Sequence, residues 1–223
     1  MSWITRDENV ETQEEMGGVS GVKVTDAYKA TIKEAYVKDS TVEGSQSMSI
    51  VISAETTDGE LVKTYYTIQG KNGKGYYERD GKRFQHIGTG IVKTVFKILL
   101  DKEIYDVEPV DGTYKGWDND TKKQIDVNGR VFADVIGKEI GICVQMIRKI
   151  AGTDTKEYGE IAHFFDIETG LFAGEVDSGK KRKIDKWLDG RKEYKIIEEK
   201  QVSSSFGKKA EASADTGRSK WGS

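Results

Sequence analysis

Residues 70–84 combine the side chain types that bind an unpaired polynucleotide. This segment carries five Lys and Arg residues, two acids and three aromatic rings, set among glycines. Cations attract a phosphate backbone, and flat rings stack on unpaired bases. The segment therefore predicts binding to a single strand rather than to a duplex. A solvated hairpin tip whose charges serve solubility is the alternative interpretation.

The predicted contacts to nucleic acid come from this segment and from the strand-like runs near it. Within the segment, the candidates are Lys71, Lys74, Tyr76, Tyr77, Arg79, Lys82, Arg83 and Phe84. Outside it, they are Lys33, Lys63, Tyr65, Arg148 and Lys149. Of the adjacent Tyr76 and Tyr77, we expect one ring to pack and the other to be exposed. Each stacked base is typically worth about 1–3 kcal/mol.

A metal-dependent nuclease is the catalytic alternative. Asp166 and Glu168 form a D-x-E pair like that of 3′–5′ exonucleases, in which carboxylates hold two divalent cations. Those enzymes need further acids well downstream, and roughly fifty residues follow here. A turn built on Asp166, Thr169 and Gly170 is the structural alternative. With one cysteine, two histidines and no G-x-x-x-x-G-K-[ST] motif, we predict no catalytic residue, no metal and no cofactor.

Charge and cysteine usage limit the compartment and the kind of partner. The formal net charge is −3, so any affinity for nucleic acid must come from local segregation of charge. Cys143 is the only cysteine, which excludes an internal disulfide and favours a reducing compartment. No apolar run approaches a membrane span, and the acidic start is not a signal peptide. We therefore expect a soluble protein with no membrane partner.

Hydrophobic periodicity predicts the elements that position these residues. Alternating runs predict strands near residues 28–37, 48–54 and 62–69, with Glu34 and Tyr36 on the same side as Ile32. Apolar residues at helical spacing predict a helix over 91–99, capped by Thr89. Two more strands are predicted near 140–147 and 160–166, and a short helix near 184–188. Residues 106–133 are expected to form a long loop or a small hairpin.

Three strands, one helix and two strands, in that order, predict a mainly β fold. The arrangement is that of a five-stranded, OB-fold-like Greek-key barrel with one helix between strands 3 and 4, plus flexible termini. We expect a flexible acidic arm at residues 1–20, the barrel domain at 21–200 and a disordered tail at 201–223.

Two segments resemble a phage-type single-stranded DNA-binding protein with an OB-fold. Residues 135–146 read VIGKEIGICVQM, and residues 161–175 read IAHFFDIETGLFAGE. They are similar to the paired last strands of that family, and the similarity covers roughly residues 20–176. The chain departs from many single-strand binders at its end, where a basic tail replaces the acidic tail that recruits partners.

The resemblance implies sequence-independent binding and protection of single-stranded DNA, without catalysis, in phage DNA replication or recombination. The implied partners are single-stranded DNA and phage replication or recombination proteins, in the cytoplasm of the bacterial host. A barrel that binds protein instead of nucleic acid is a further alternative.

Overall fold

The structure, a computed structural model, describes residues 17–40, 42–118, 121, 123–151, 154–172 and 183–198 of the 223-residue chain. Within these ranges the strands are β1 (Gly17–Ser20), β2 (Asp26–Asp39), β3 (Met48–Thr56), β4 (Leu61–Gln69), β5 (Tyr76–Arg79), β6 (Lys82–Gln85), β7 (Val110–Asp118), β8 (Lys123–Val131), β9 (Glu139–Ala151), β10 (Asp154–Phe165) and β11 (Lys195–Glu198). The helices are α1 (Ile87–Leu100) and α2 (Lys183–Gly190), and short 3₁₀ turns span Ile104–Asp106 and Ala133–Val135. The prediction of a mainly β fold is confirmed.

One large sheet holds all the strands except β5 and β6, which pair with each other. Adjacent strands in the order β1-β4-β3-β2-β8-β7 are hydrogen-bonded to each other. In addition, β2 pairs with β9, and β9 pairs with β10 and β11. The pairs are antiparallel, apart from the parallel pair of β11 and β9. The spatial order β9-β2-β3-β4 is that of a Greek key, because the fourth strand returns to lie beside the first.

Strand β2 connects the two parts of the sheet. Midway along β2, the alternation between side chains that face the core and side chains that face outward shifts by one residue. Residues 26–31 pair with β9, whereas residues 30–39 pair with β3. A register shift between Ile32 and Glu34 marks a bulge, which bends a strand and reverses the side on which later residues point. Ile32 lies in the main core, but Tyr36 lies in a separate apolar cluster on the opposite side. The predicted placement of Glu34 and Tyr36 beside Ile32 is therefore wrong.

The sheet curls until its two ends approach each other, since β10 contacts both β1 and β4. No hydrogen-bonded ladder joins β10 to either strand in the part of the chain that the structure describes. The predicted number of five strands is wrong, because residues 17–20, 76–85, 110–131 and 195–198 add strands. Glycine, aspartate and asparagine are depleted in strands, so composition left residues 106–133 undecided between a loop and a hairpin.

Helix α1 packs its apolar stripe onto the sheet, as its spacing predicts. Ile91, Val92, Val95 and Phe96 are buried in the main core. The helix begins at Ile87 with His86 at the N-cap, so the predicted cap at Thr89 is wrong. The α1 segment separates β4 from β9 in the chain, as predicted, but the two hairpins β5–β6 and β7–β8 also lie between them.

Gly88 allows α1 to approach β4 closely, and its replacement tests this packing. A Cβ atom there would meet the carbonyl oxygen of Thr67 and lie 2.7 Å from the Thr67 nitrogen, both of them backbone atoms. Gly88→Ala is therefore expected to lower the free energy of unfolding by about 1–3 kcal/mol, as overpacking does. Urea denaturation measures this change. Gly190→Ala is the control, because nothing lies within 4 Å of its added Cβ, and an equal loss in both variants would contradict the argument.

The ends of the described chain dock on the sheet. Residues 17–20, which we expected to belong to the flexible arm, form β1 beside β4. The predicted short helix is confirmed as α2, in which Ile184 is buried and the Trp187 ring lies 6.5 Å from the His163 ring. The predicted arm at 1–16 and the predicted tail at 201–223 lie outside the described residues.

Candidate nucleic-acid interface

The hairpin β5–β6 carries six of the thirteen predicted binding residues and lies between β4 and α1 in the chain. Asp80 and Gly81 both have positive φ angles, 52° and 74°, which is the geometry of a type I′ hairpin turn. The register pairs Tyr76 with Gln85 and Tyr77 with Phe84. Because side chains alternate along a strand, the two tyrosines lie on opposite faces of the hairpin.

Tyr76 lies on the face that presents an aromatic ring among cations. The Nζ atom of Lys74 lies 5.3 Å from the ring centroid, and the Cζ atom of Arg83 lies 4.8 Å from it. Both distances are within the range of a cation–π interaction. Lys74 and Arg83 are exposed and Tyr76 is half-buried, so a nucleotide whose base reaches the ring would bring its phosphate close to both cations.

Tyr77 and Phe84 form the packed face of the hairpin. Their rings stack at 5.7 Å with an interplanar angle of 27°, and Tyr77 also lies 5.7 Å from the imidazole of His86. On the other face, Gln85 donates a hydrogen bond of 3.2 Å to the hydroxyl of Tyr105. Both tyrosines are half-buried, but Tyr77 has two ring neighbours, Phe84 and His86. Tyr76 is therefore the better placed of the two for stacking on a base.

The glycine-rich loop at residues 70–75 holds two exposed lysines at the base of this hairpin. The backbone N–H of Gly70 donates to the carbonyl of Lys74 at 2.9 Å, and Gly73 adopts a φ of +75°. The backbone N–H of Gln46 donates to the carbonyl of Lys71 at 3.0 Å, which fixes the loop beside the β2–β3 connection. Backbone contacts thus hold the loop while the Lys71 and Lys74 side chains stay exposed.

Many of the predicted cations are engaged by acids. The ion pairs are Lys33–Glu55, Lys63–Glu34 at 3.0 Å, Arg79–Asp80 at 3.6 Å, Arg83–Glu78 at 3.5 Å and Arg148–Glu157 at 2.7 Å. All of these pairs except Lys63–Glu34 are exposed, and exposed pairs are worth about 0–1 kcal/mol, so a phosphate can replace the acid in them. Lys71, Lys74 and Lys82 have no ion pair within the described ranges and are exposed.

A second group of residues lies on the outward side of β2, β3 and β4, which we call the outer face. The register aligns Glu34, Ser53 and Lys63 in one row, and Tyr36, Val51 and Tyr65 in the next. Tyr65 is 36% exposed, and the Nζ atom of Lys38 lies 5.1 Å from its ring centroid.

Lys38 is a residue that the sequence prediction missed. The bulge in β2 moves its position onto the outer face, and the alternation before the bulge gives no sign of this. Tyr65 and Lys38 thus repeat on the sheet the ring-and-cation arrangement of the hairpin.

The remaining predicted cations lie on other elements and are not brought together with the hairpin. Arg148 and Lys149 lie on β9, where it pairs with β10 and β11. The guanidinium of Arg148 bonds Glu157 and lies 4.1 Å from the ring centroid of Tyr194. Lys33 lies at the bulge of β2 and pairs with Glu55 on β3. Nucleic-acid contacts by these three residues stay predictions.

The groups that suggested other chemistry have structural partners. One carboxylate oxygen of Asp166 accepts hydrogen bonds from the backbone N–H groups of Glu168 and Thr169 and from the Thr169 hydroxyl, at 3.0, 2.7 and 2.8 Å. This is turn chemistry, as the structural alternative predicted. Among the described residues, no group of three His, Cys, Asp or Glu side chains could hold a metal ion. Burial raises the pKa of Cys143 to about 12, so its thiol stays protonated at neutral pH.

We expect His86 to couple the stability of the protein to pH. Burial lowers its pKa, and a hydrogen bond to the backbone of Lys74 opposes only part of this effect. The unfolded chain, with a histidine pKa of about 6.5, therefore binds protons first as the pH falls. The contribution of His86 to the free energy of unfolding is expected to be constant above about pH 6.5 and to decrease as the pH falls below it.

Urea denaturation at about pH 7.5 and about pH 5.5 measures this loss, and His86→Leu is expected to lose less stability over the same interval. An equal loss in both proteins would show that other groups cause it.

The chain matches no protein-family model, no curated protein and no solved structure. Neither α1 nor α2 has the length and apolar composition that a helix needs to cross a membrane, and no other helix in the described ranges does.

Proposed function

We propose that the protein binds single-stranded DNA without sequence preference, through the hairpin β5–β6 and the outer face. The observation that carries the proposal is the Tyr76 ring, which has both Lys74 and Arg83 within cation–π distance. Two further exposed lysines, Lys71 and Lys82, lie in the same glycine-rich loop and hairpin. An aromatic ring stacks on the π-face of any base, and the cations contact the phosphate backbone. Binding by this combination therefore does not depend on the base sequence. The mechanism is binding and protection, with no bond broken.

We further propose that the fold is an OB-like barrel. Strands β2, β3, β4, β9 and β10 would be its five strands, and α1 would be the helix between the third and the fourth. The Greek-key order and the approach of β10 to β1 and β4 support this assignment. The segments 135–146 and 161–175, which resemble a phage single-strand binder, would form the β9–β10 side.

From the resemblance of these two segments we also propose that the protein acts in phage DNA replication or recombination, in the cytoplasm of a bacterial host. Its partners would be exposed single strands and the replication or recombination proteins that act on them.

Titration of a fluorescent dT oligomer, followed by anisotropy at two salt concentrations, tests the function. We expect binding that weakens as salt increases, with a slope of about −0.7 for each phosphate neutralised. A duplex of the same length should bind more weakly, because its bases are not free to stack. Absence of dT binding at low salt, or equal affinity for the duplex, would refute the proposal.

A further inference from the structure

The hairpin β7–β8 docks on the outer face through an aromatic stack. The ring centroids of Tyr114 and Tyr36 lie 3.7 Å apart, and the two planes differ by 9°. Tyr36 is 2% exposed, and Val51 beside it is fully buried, although both lie on the outward side of the sheet. A Cβ atom at Gly129 would lie 2.8 Å from the Tyr114 ring, so glycine makes room for this ring on the hairpin.

The ion pair of Glu34 and Lys63 bonds the edge of β7 at a position where a neighbouring strand would otherwise pair. Glu34 accepts a hydrogen bond of 2.9 Å from the backbone N–H of Lys115, and Lys63 donates one of 3.4 Å to the carbonyl of Lys115. The two side chains also bond each other, at 3.0 Å. Both backbone groups of an edge residue are thus satisfied by side chains, which anchors the hairpin at one point on the sheet.

The charge of Lys63 is committed to this anchor. Its side chain is 19% exposed, as is that of Glu34. Burial alone would lower the pKa of Lys63, but hydrogen bonds to Glu34 and Tyr36 outweigh burial and raise it. Lys63 therefore stays charged, and a phosphate could reach it only by displacing Glu34 and releasing Lys115.

We propose that Glu34 and Lys63 are positioning residues that hold β7–β8 as one wall of the single-strand groove. The floor of this groove carries Tyr65, on which a base stacks, and Lys38, which meets a phosphate. Lys63 then supports DNA binding by holding the hairpin β7–β8 in place, and it contacts no phosphate. This inference rests on the proposed function and assigns to Lys63 a different role from the one that its charge and position in the sequence predict.

The two roles of Lys63 predict opposite results when Glu34 is removed. If Lys63 bound a phosphate, Glu34→Met would free it and strengthen binding to dT. If the pair positions the hairpin, Glu34→Met and Lys63→Met both weaken binding. We expect a loss of about fivefold for each, equal to one weakly stacked base, with the salt slope changed by less than one phosphate, about 0.7. The double variant should lose no more than either single one, because the pair acts as a unit.

The Lys29–Glu139 pair supplies the matched control, since it joins β2 to β9 as Glu34–Lys63 joins β2 to β4, and neither side chain has a bond to β7 within the described ranges. Glu139→Met makes the same change in charge as Glu34→Met and is expected to leave dT affinity unchanged or slightly higher. Lys29→Met is the corresponding control for Lys63→Met.

Hydrogen exchange of the Lys115 amide, measured by NMR without DNA, separates the anchor from the binding. Faster exchange in Glu34→Met together with weaker dT binding supports the inference. Faster exchange with unchanged or tighter dT binding overturns it and leaves the proposed function standing. Unchanged exchange overturns the anchor itself. If the wild type does not bind dT, the proposed function fails, and the groove inference fails with it whatever the amide shows.

Discussion

Replacing Lys71, Lys74 and Lys82 together with alanine is expected to weaken dT binding roughly 100-fold at about 0.1 M salt. The three side chains are exposed, and no acid in the described ranges neutralises them. If each neutralises one phosphate, the slope of log K against log salt decreases by about 0.7 per lysine, or about 2 in total. Anisotropy titrations over a series of salt concentrations measure both the affinity and the slope.

The control must remove the same charge from elsewhere on the surface. Lys23, Lys102 and Lys186 are also exposed, and their replacement by alanine takes the formal net charge from −3 to −6, as the first variant does. Only local neutralisation predicts a difference between the two triple variants. Equal losses would mean that the net charge of the protein matters and that the hairpin lysines are not contacts.

The hairpin β5–β6 could be singled out from the sequence as a candidate binding segment because its signals are local. Rings, cations and glycines lie within fifteen residues, and Asp80-Gly81 is a strong hairpin signal on its own. Spacing alone did not decide between Tyr76 and Tyr77. That choice depends on Phe84 and His86, which occupy the neighbourhood of Tyr77 only after the hairpin has formed.

The anchor of β7 could not be predicted, because its parts are distant in the chain. Glu34 lies 29 residues from Lys63 and 81 residues from Lys115. A single extra residue in β2 brings Glu34 to the outer face, and a bulge leaves no mark in the hydrophobic pattern until it is known. In the sequence, Lys63 therefore had the correct sign of charge and the correct face for a phosphate ligand. In the structure, its amino group bonds the carboxylate of Glu34 and the backbone carbonyl of Lys115.

The sequence left residues 106–133 undecided between a long loop and a small hairpin, and the structure shows the hairpin β7–β8. Residues 106–133 are rich in glycine and aspartate, which is typical of loops. In the structure, a Cβ atom at Gly129 would collide with the Tyr114 ring, and one at Gly112 would approach the Val131 side chain closely. These glycines therefore make room for side chains of the paired strand. Glycine content, which usually indicates a flexible loop, here reflects close packing between two strands.

Tyr76→Leu is expected to weaken dT binding by about 1–3 kcal/mol, or roughly 5- to 150-fold, because leucine keeps the apolar volume but offers no ring for a base. Tyr76→Phe keeps the ring and is expected to bind as the wild type does, since stacking needs the π-face and not the hydroxyl. Anisotropy with dT oligomers measures all three proteins under the same conditions.

The salt dependence of Tyr76→Leu separates stacking from charge. A base stacked on Tyr76 contributes no counterion release, so its loss should leave the salt slope within about 0.7 of the wild-type value, less than one phosphate. Lys74 and Arg83 both lie against this ring, however, and the ring could serve only to hold them. A slope reduced by about 1.4, the contribution of two cations, would show that Tyr76 orders its neighbours and does not stack on DNA.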